Sequence, residues 1–130
     1  MRQAPTSMVT FVLALFCTAV FGVSLSAADM DKKKTAPALK TAAGSKAEMH
    51  NSEGIEHYNQ EHWDVAKKHF MEAVKSDASS AVAHYNLALA LDKSGDHKTA
   101  IEHFHKAKEL GKDNPEIQQS EILQAHLKKH

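Results

Sequence analysis

The sequence repeats one short pattern of small and aromatic residues at a spacing of 34. The repeated positions are Ala66, Phe70 and Ala73, followed by Ala100, Phe104 and Ala107. Gly54 and Ala88 are separated by the same 34 residues. Residues three and four apart lie on one face of a helix, so the pattern predicts helices rather than strands. Because a unit of this length cannot bury its apolar face alone, we expect the units to stack on one another.

The turns between the expected helices differ in the two copies. In the second copy, Gly95 can adopt the left-handed conformation that ends a helix, and Asp96 can cap the free N–H groups of the next helix. So short a break turns the second helix back against the first. In the first copy, Glu61 and His62 occupy the equivalent positions. The second copy therefore has a turn signal that the first copy lacks.

On these signals we expect five helices, near residues 47–59, 62–76, 80–93, 97–110 and 115–128. A small residue on the first helix of each pair, followed by A-x3-F-x2-A on the second, resembles the tetratricopeptide repeat family. The resemblance implies an all-α fold, an α-α superhelix (TPR-like) with two helix-turn-helix repeats at about 47–80 and 81–114. A C-terminal capping helix at 115–128 would cover the last repeat.

The small repeated residues have a packing role in this interpretation. We expect Gly54 to face Ala66, and Ala88 to face Ala100, because small residues let two helix backbones approach closely. The two repeated phenylalanines would fill the wedge between neighbouring units. This packing predicts one apolar core that runs through both repeats.

Residues 1–28 have the layout of a secretory signal peptide, with a positive charge, an apolar run and small residues before the cleavage point. The apolar run from Met8 to Val23 has 16 residues, which is short for a membrane helix. We therefore expect export, with cleavage before Asp29 and a periplasmic location. An uncleaved N-terminal helix that anchors the protein in the membrane is the alternative. The only cysteine, Cys17, lies in this segment, so the exported domain would form no disulfide.

Residues 29–46 indicate a flexible Lys/Ala/Thr-rich linker, because they carry five lysines and little apolar bulk. The TPR-like domain would then span 47–130. The lysine run at 32–34 has no interleaved aromatic residue, so nucleic-acid binding is not predicted. The sequence has no nucleophile motif and no glycine-rich phosphate loop. We therefore expect no enzyme, no catalytic residues and no cofactor.

Histidine is the unusual feature of the composition, since all ten histidines lie between His50 and His130. Two metal ligands on one helix need a spacing of three or four, which only His126 and His130 have, so no metal site is predicted. A metal-buffering or metal-binding protein that uses a histidine-rich surface is the alternative function. Residues 47–130 contain ten lysines and fourteen acidic residues. Protonation of all ten imidazoles near pH 6.5 would reverse this negative balance, which predicts pH-sensitive binding of a charged partner.

The surface best suited to a partner is the inner, concave side of the first helices, here called the first-helix face. The resemblance implies that this face takes an extended peptide or a helix. The residues placed there are Asn51, Ile55, Tyr58, Tyr85, Asn86, Leu89 and, from the last helix, Leu123. Tyrosine offers rigid contact area, and asparagine can pair with a peptide backbone. The alternative for the aliphatic members is that they only complete the core.

Together these features predict an exported adaptor or scaffold, a protein–protein interaction module whose partner is another protein. After signal cleavage, neither a membrane nor a nucleic acid is an expected partner. Two repeats make a small core, which favours support from a partner or from self-association. A structural subunit of one larger complex is a third interpretation. Whether residues 29–46 occupy the first-helix face is left open by the sequence.

Overall fold

The structure is a computed structural model that describes residues 35–129 of the 130-residue chain. Its helices are α1 (Glu48–Asn59), α2 (Trp63–Ser76), α3 (Ala81–Lys93), α4 (His97–Leu110), α5 (Pro115–Gln118) and α6 (Glu121–Lys128). Over this range every regular element is a helix, which confirms the predicted all-α fold and superhelix. The helices pack in sequence, α1 on α2, α2 on α3 and α3 on α4, and α6 packs on α4.

The core runs through both helix pairs, as the repeated residues predict. Phe70 and Phe104 are completely buried, and so are Ala66, Ala88 and Ala100. Gly54 is buried directly against the Phe70 ring, because a Cβ built on Gly54 would lie 2.5 Å from two of the ring carbons. The close approach at Gly54 is therefore between a helix backbone and an aromatic ring.

The C-terminal region differs from the single helix expected at 115–128. Gln119 and Ser120 separate α5 from α6. The hydroxyl Oγ of Ser120 accepts a hydrogen bond from the Leu123 N–H at 3.4 Å, so Ser120 caps α6. The hydroxyls of Tyr85 and Ser120 also lie 2.9 Å apart and form a hydrogen bond. A serine that can cap a new helix and bond a tyrosine on α3 thus favours a break over a continuous helix.

The N-terminal part of the described chain is irregular and lies on the helices. Residues 36–40 have no regular secondary structure, and turns at 43–44 and 46–47 lead into α1. None of the helices within 35–129 is long and apolar enough to cross a bilayer. The predicted signal peptide, its membrane-anchor alternative (both at 1–28) and His130 lie outside the described residues.

Candidate peptide-binding face

The first-helix face holds an irregular piece of the same chain, residues 35–40, here called the N-terminal segment. The Leu39 N–H donates to Oδ1 of Asn86 at 2.7 Å. The Leu39 carbonyl oxygen accepts from Nδ2 of Asn86 at 2.6 Å and from Nδ2 of Asn51 at 3.0 Å. Both backbone polar groups of Leu39 are therefore paired with asparagine amides on α1 and α3.

The two asparagines are also bonded to each other. Nδ2 of Asn86 donates to Oδ1 of Asn51 at 2.8 Å, and the two residues are at most 1% exposed. An amide side chain carries a donor and an acceptor, so it can pair with a peptide group as another backbone would. The bond between the two amides orients both side chains, because a movement that breaks it would leave a buried polar group without a partner. The pair is thus preorganised to hold one extended peptide unit.

Two tyrosines extend the contact along the face. The Tyr58 hydroxyl donates to the carbonyl oxygen of Ala36 at 3.0 Å. Tyr85 lines a cleft beside the N-terminal segment together with Pro37 and Leu39. Burial raises the pKa of both Tyr58 and Tyr85 above the usual tyrosine range, so both hydroxyls stay protonated and can donate.

The far end of the segment meets the exposed rim of the face. Nζ of Lys93 donates to Oγ1 of Thr35 at 3.3 Å and lies 5.6 Å from the centre of the Trp63 ring. The Trp63 ring in turn packs edge-on against Tyr58, with centroids 5.0 Å apart. A cation over an aromatic ring adds a modest attraction at an exposed site. Lys93 and Trp63 therefore lie at one end of the first-helix face. Sequence reasoning did not identify either residue as part of this face.

Apolar contacts complete the site. Ala36, Ala38 and Leu39 pack against the buried core cluster, and Ile55 packs against it from α1. Leu89 and Leu123 are completely buried, so they lie beneath the face as part of the core. Of the seven residues that the sequence placed on this face, the structure brings Asn51, Tyr58 and Asn86 into hydrogen bonds with the N-terminal segment, and the other four line or support it.

Sequence reasoning did not predict that residues 35–40 occupy the first-helix face. Residues 29–46 were predicted as a flexible linker, whereas residues 35–40 pack on the domain through Leu39 and Tyr58. The short run of alanine, proline and one leucine has no helical or strand periodicity, so no local pattern predicts that it packs on the domain. Its order comes from partners on α1 and α3, the nearest of which is 12 residues along the chain from Leu39.

Histidines that are distant in sequence also come together. The Nδ1 atoms of His84 and His103 lie 2.9 Å apart, with the rings stacked. Two further groups could hold a metal ion, with all their ligand atoms within 4.8 Å of one another. These groups are His50, Glu53 and His69, and Asp92, His97 and His126. Sequence spacing along one helix could not find them, because each group combines residues of different helices.

Comparison with known proteins agrees with the repeat pattern. Residues 81–114, which contain α3 and α4, match the family model described as tetratricopeptide repeat. No curated protein matches the chain significantly. This repeat is typical of protein–protein interaction modules, and proteins that carry it are generally not enzymes.

Proposed function

From the match of residues 81–114 to the tetratricopeptide repeat, we propose that the first-helix face binds an extended peptide of a partner protein. The observation that carries this proposal is the bonding of Leu39 by Asn51 and Asn86. These bonds involve only the backbone atoms of Leu39, so another extended peptide can form them. Specificity would come from the apolar contacts around them, where the face accepts small side chains and one leucine.

In this proposal the N-terminal segment is an internal competitor. A partner peptide must displace residues 35–40 before it reaches Asn51 and Asn86. The apparent affinity for the partner is then reduced by the fraction of molecules in which the face is occupied. The segment makes few bonds and lies outside the helices, so its release leaves the helix pairs in place.

Self-association follows from the same contacts. The N-terminal segment of one copy can form, on a second copy, the bonds that it forms within its own chain, in the manner of a swapped element. The fraction of such dimers would increase with protein concentration, and dimer formation would compete with binding of an added peptide. The metal-buffering alternative makes no use of this face.

We also propose export of the protein to the periplasm. The support is the layout of residues 1–28, in which an apolar run of 16 residues is followed by small residues before Asp29. Mass spectrometry of the protein from an exporting bacterial host tests this. A mature chain that starts at Asp29 is the expected result, whereas an intact Met1 in the membrane fraction would support the anchor instead.

Binding of a peptide in trans tests the main proposal. The probe is a fluorescent peptide with the sequence of residues 35–42, added to the whole chain and to its Leu39→Pro variant. Proline has no N–H, so the variant loses the bond from residue 39 to Oδ1 of Asn86, and we expect its own segment to be held more weakly, while Asn51 and Asn86 stay intact. We expect the variant to bind the peptide more tightly than the unmodified chain, measured by fluorescence anisotropy.

Two further variants distinguish the asparagines from the rest of the surface. In the Leu39→Pro chain, Asn86→Ala should strongly weaken peptide binding, because it removes the bond to the peptide N–H and one of the two bonds to its carbonyl oxygen, leaving only the bond from Asn51. Gln119→Ala removes an exposed amide outside this face and should leave binding unchanged. Equal affinities in these two double variants, or no binding by the Leu39→Pro chain, would refute the proposed site.

A further inference from the structure

Three polar side chains from three helices meet where α6 packs against the second repeat. Asp92 is near the end of α3, His97 begins α4, and His126 lies on α6. Oδ1 of Asp92 is 2.7 Å from Nδ1 of His97 and 2.7 Å from Nε2 of His126. Asp92 and His126 are largely buried, with side chains 15% and 21% exposed, while His97 is 66% exposed. The arrangement thus has two fixed members and one at the surface.

The hydrogen bonds of His126 make this cluster more than a chance contact. Nδ1 of His126 lies 2.9 Å from the carbonyl oxygen of Ile122, which can only accept. Nε2 of the same ring faces the carboxylate of Asp92, which when ionised also only accepts. A neutral imidazole has one N–H, so it can satisfy only one of these two acceptors. Either a second proton or a metal cation is needed between Nε2 and the carboxylate.

We propose that Asp92, His97 and His126 bind one divalent transition-metal ion of the Zn²⁺ class. The bond from Nδ1 of His126 to a backbone carbonyl is the outer-shell contact that orients histidine ligands at metal sites. It leaves the lone pair of Nε2 directed at the cluster. Two imidazole nitrogens and one carboxylate oxygen suit Zn²⁺, Ni²⁺ or Cu²⁺, and they do not suit Ca²⁺ or Mg²⁺, which prefer all-oxygen ligand sets.

The geometry requires a small adjustment on binding. Around a tetrahedral Zn²⁺ with bonds of about 2.0 Å, neighbouring ligand atoms lie roughly 3.3 Å apart. The 2.7 Å separations in the structure must therefore widen slightly. His97 can supply this movement because its side chain is mostly exposed and is at the first residue of its helix. With three protein ligands, the fourth position is left for water.

The ion would hold the C-terminal helix α6 against the second repeat. α6 has only eight residues, and the cluster is a polar connection between it and both helices of the second repeat. A metal bound there joins α3, α4 and α6 at one point. Since binding to the folded form alone stabilises it, Zn²⁺ should slow the opening of α6. This role is independent of the peptide-binding face.

The group formed by His50, Glu53 and His69 is an internal comparison. Its carboxylate oxygen is 3.0 Å from Nδ1 of His69 and 3.5 Å from Nδ1 of His50. Within residues 35–129, no hydrogen bond of either ring to a backbone carbonyl orients it as Ile122 orients His126. We therefore assign the tighter site to the cluster at α6.

The test is titration of the metal-free whole chain with Zn²⁺ alone, followed by isothermal titration calorimetry and by hydrogen exchange of residues 121–128. We expect saturable binding that slows exchange in α6. His97→Ala should weaken binding about tenfold or more, as loss of a ligand requires. Its exposed side chain can be removed without loss of the fold, which circular dichroism checks. Asp92→Asn should also weaken binding, even though it keeps the size of the side chain.

Two controls make the result decisive. His105→Ala removes an exposed histidine of α4 that lies outside the cluster and should not change the affinity. The His50→Ala/His69→Ala double variant should retain the tight site and the slower exchange of α6. The proposal is overturned if Zn²⁺ binds His97→Ala as tightly as His105→Ala, or if saturating Zn²⁺ leaves exchange in α6 unchanged. Neither result depends on whether the peptide-binding proposal holds.

Discussion

Glu61 and Gly95 are 34 residues apart in sequence and share the same unusual backbone conformation, with φ of +62° and +89°. Each lies in the turn between the two helices of its repeat. The second repeat uses glycine, which adopts positive φ without a steric penalty, whereas the first uses a residue with a Cβ. The first turn therefore stores strain that the second does not.

Replacing Glu61 with glycine should relieve this strain. We expect Glu61→Gly to stabilise the protein by up to about 1 kcal/mol, since removal of the left-handed penalty outweighs the added freedom of the unfolded chain. The neighbouring Gln60 has a φ of −89° and provides the matched control. Gln60→Gly should destabilise by about 0.5–1 kcal/mol through entropy alone. Urea unfolding monitored by circular dichroism measures both, and equal signs would contradict the strain argument.

The contact between Gly54 and Phe70 predicts intolerance of a single methyl group. In Gly54→Ala the new Cβ would lie 2.5 Å from the ring, in a region where Phe70 is completely buried. We expect a loss of about 1–3 kcal/mol in the free energy of unfolding, as in other overpacked cores. Thermal unfolding provides the measurement.

A second substitution shows whether the ring is the cause. Phe70→Leu makes room for the methyl group, so it should cost less in the Gly54→Ala background than in the unmodified chain. The two substitutions are thus expected to be non-additive. Simple additivity would mean that the cost at Gly54 arises elsewhere.

The paired histidines His84 and His103 predict acid sensitivity. Nε2 of His84 donates to the carbonyl oxygen of Ala78 at 3.0 Å, so its Nδ1 accepts from Nδ1 of His103. Burial lowers the pKa of both rings, and for His103 the nearby His84 and Lys106 add to the effect and bring it to about 4. The His103 ring is therefore neutral in the folded protein at neutral and at mildly acidic pH, and the pKa of His84 is shifted in the same direction.

The sign of the stability change follows from these lowered values. In the unfolded chain each imidazole takes up a proton near pH 6.5. In the folded chain His103 takes up its proton only near pH 4. The unfolded state binds more protons in between, so this contribution is complete above pH 6.5 and is lost as the pH falls toward 4. Urea midpoints between pH 7.5 and pH 4 measure the loss. His103→Leu should have a shallower pH dependence than the exposed control His105→Leu, and identical profiles would contradict the prediction.

The break between α5 and α6 depends on one hydroxyl. Ser120→Ala removes both the cap on the Leu123 N–H and the bond to the Tyr85 hydroxyl. We expect a loss of about 1–2 kcal/mol and faster hydrogen exchange in α6, because a missing cap and an unpaired tyrosine act at the same place. Ser120→Thr keeps the hydroxyl and should recover most of the stability. Exchange in α6 that is unchanged by Ser120→Ala would show that the cap has no role.

Much of the fold could be read from periodicity. The first four helices lie within one residue of their expected bounds, because amphipathic spacing and turn residues such as Gly95 are local signals. The break at Ser120 was missed, since a serine within an apolar-periodic stretch is ambiguous until a partner such as Tyr85 is placed beside it. A helix cap that also bonds a residue distant in sequence can therefore be recognised only in the tertiary structure.

The candidate site could be predicted only in part from the sequence. Asn51, Tyr58 and Asn86 were expected on the first-helix face, because helical geometry alone assigns a face. Their occupant was not predicted, since an irregular segment carries no periodic pattern. The histidine clusters were missed for a related reason, because ligands such as His97 and His126 come from different helices and no spacing rule connects them.

The sequence by itself determined the helices, the repeat and the face to which each side chain belongs. These properties depend on residues within one or two turns of each other, where backbone propensity and apolar period act directly. Only the tertiary structure decided which groups meet across the helices, namely Leu39 with Asn86, His84 with His103, and Asp92 with His126. Such contacts depend on how helices pack in three dimensions, so neighbours that are 19 to 47 residues apart have no signature in the order of the chain.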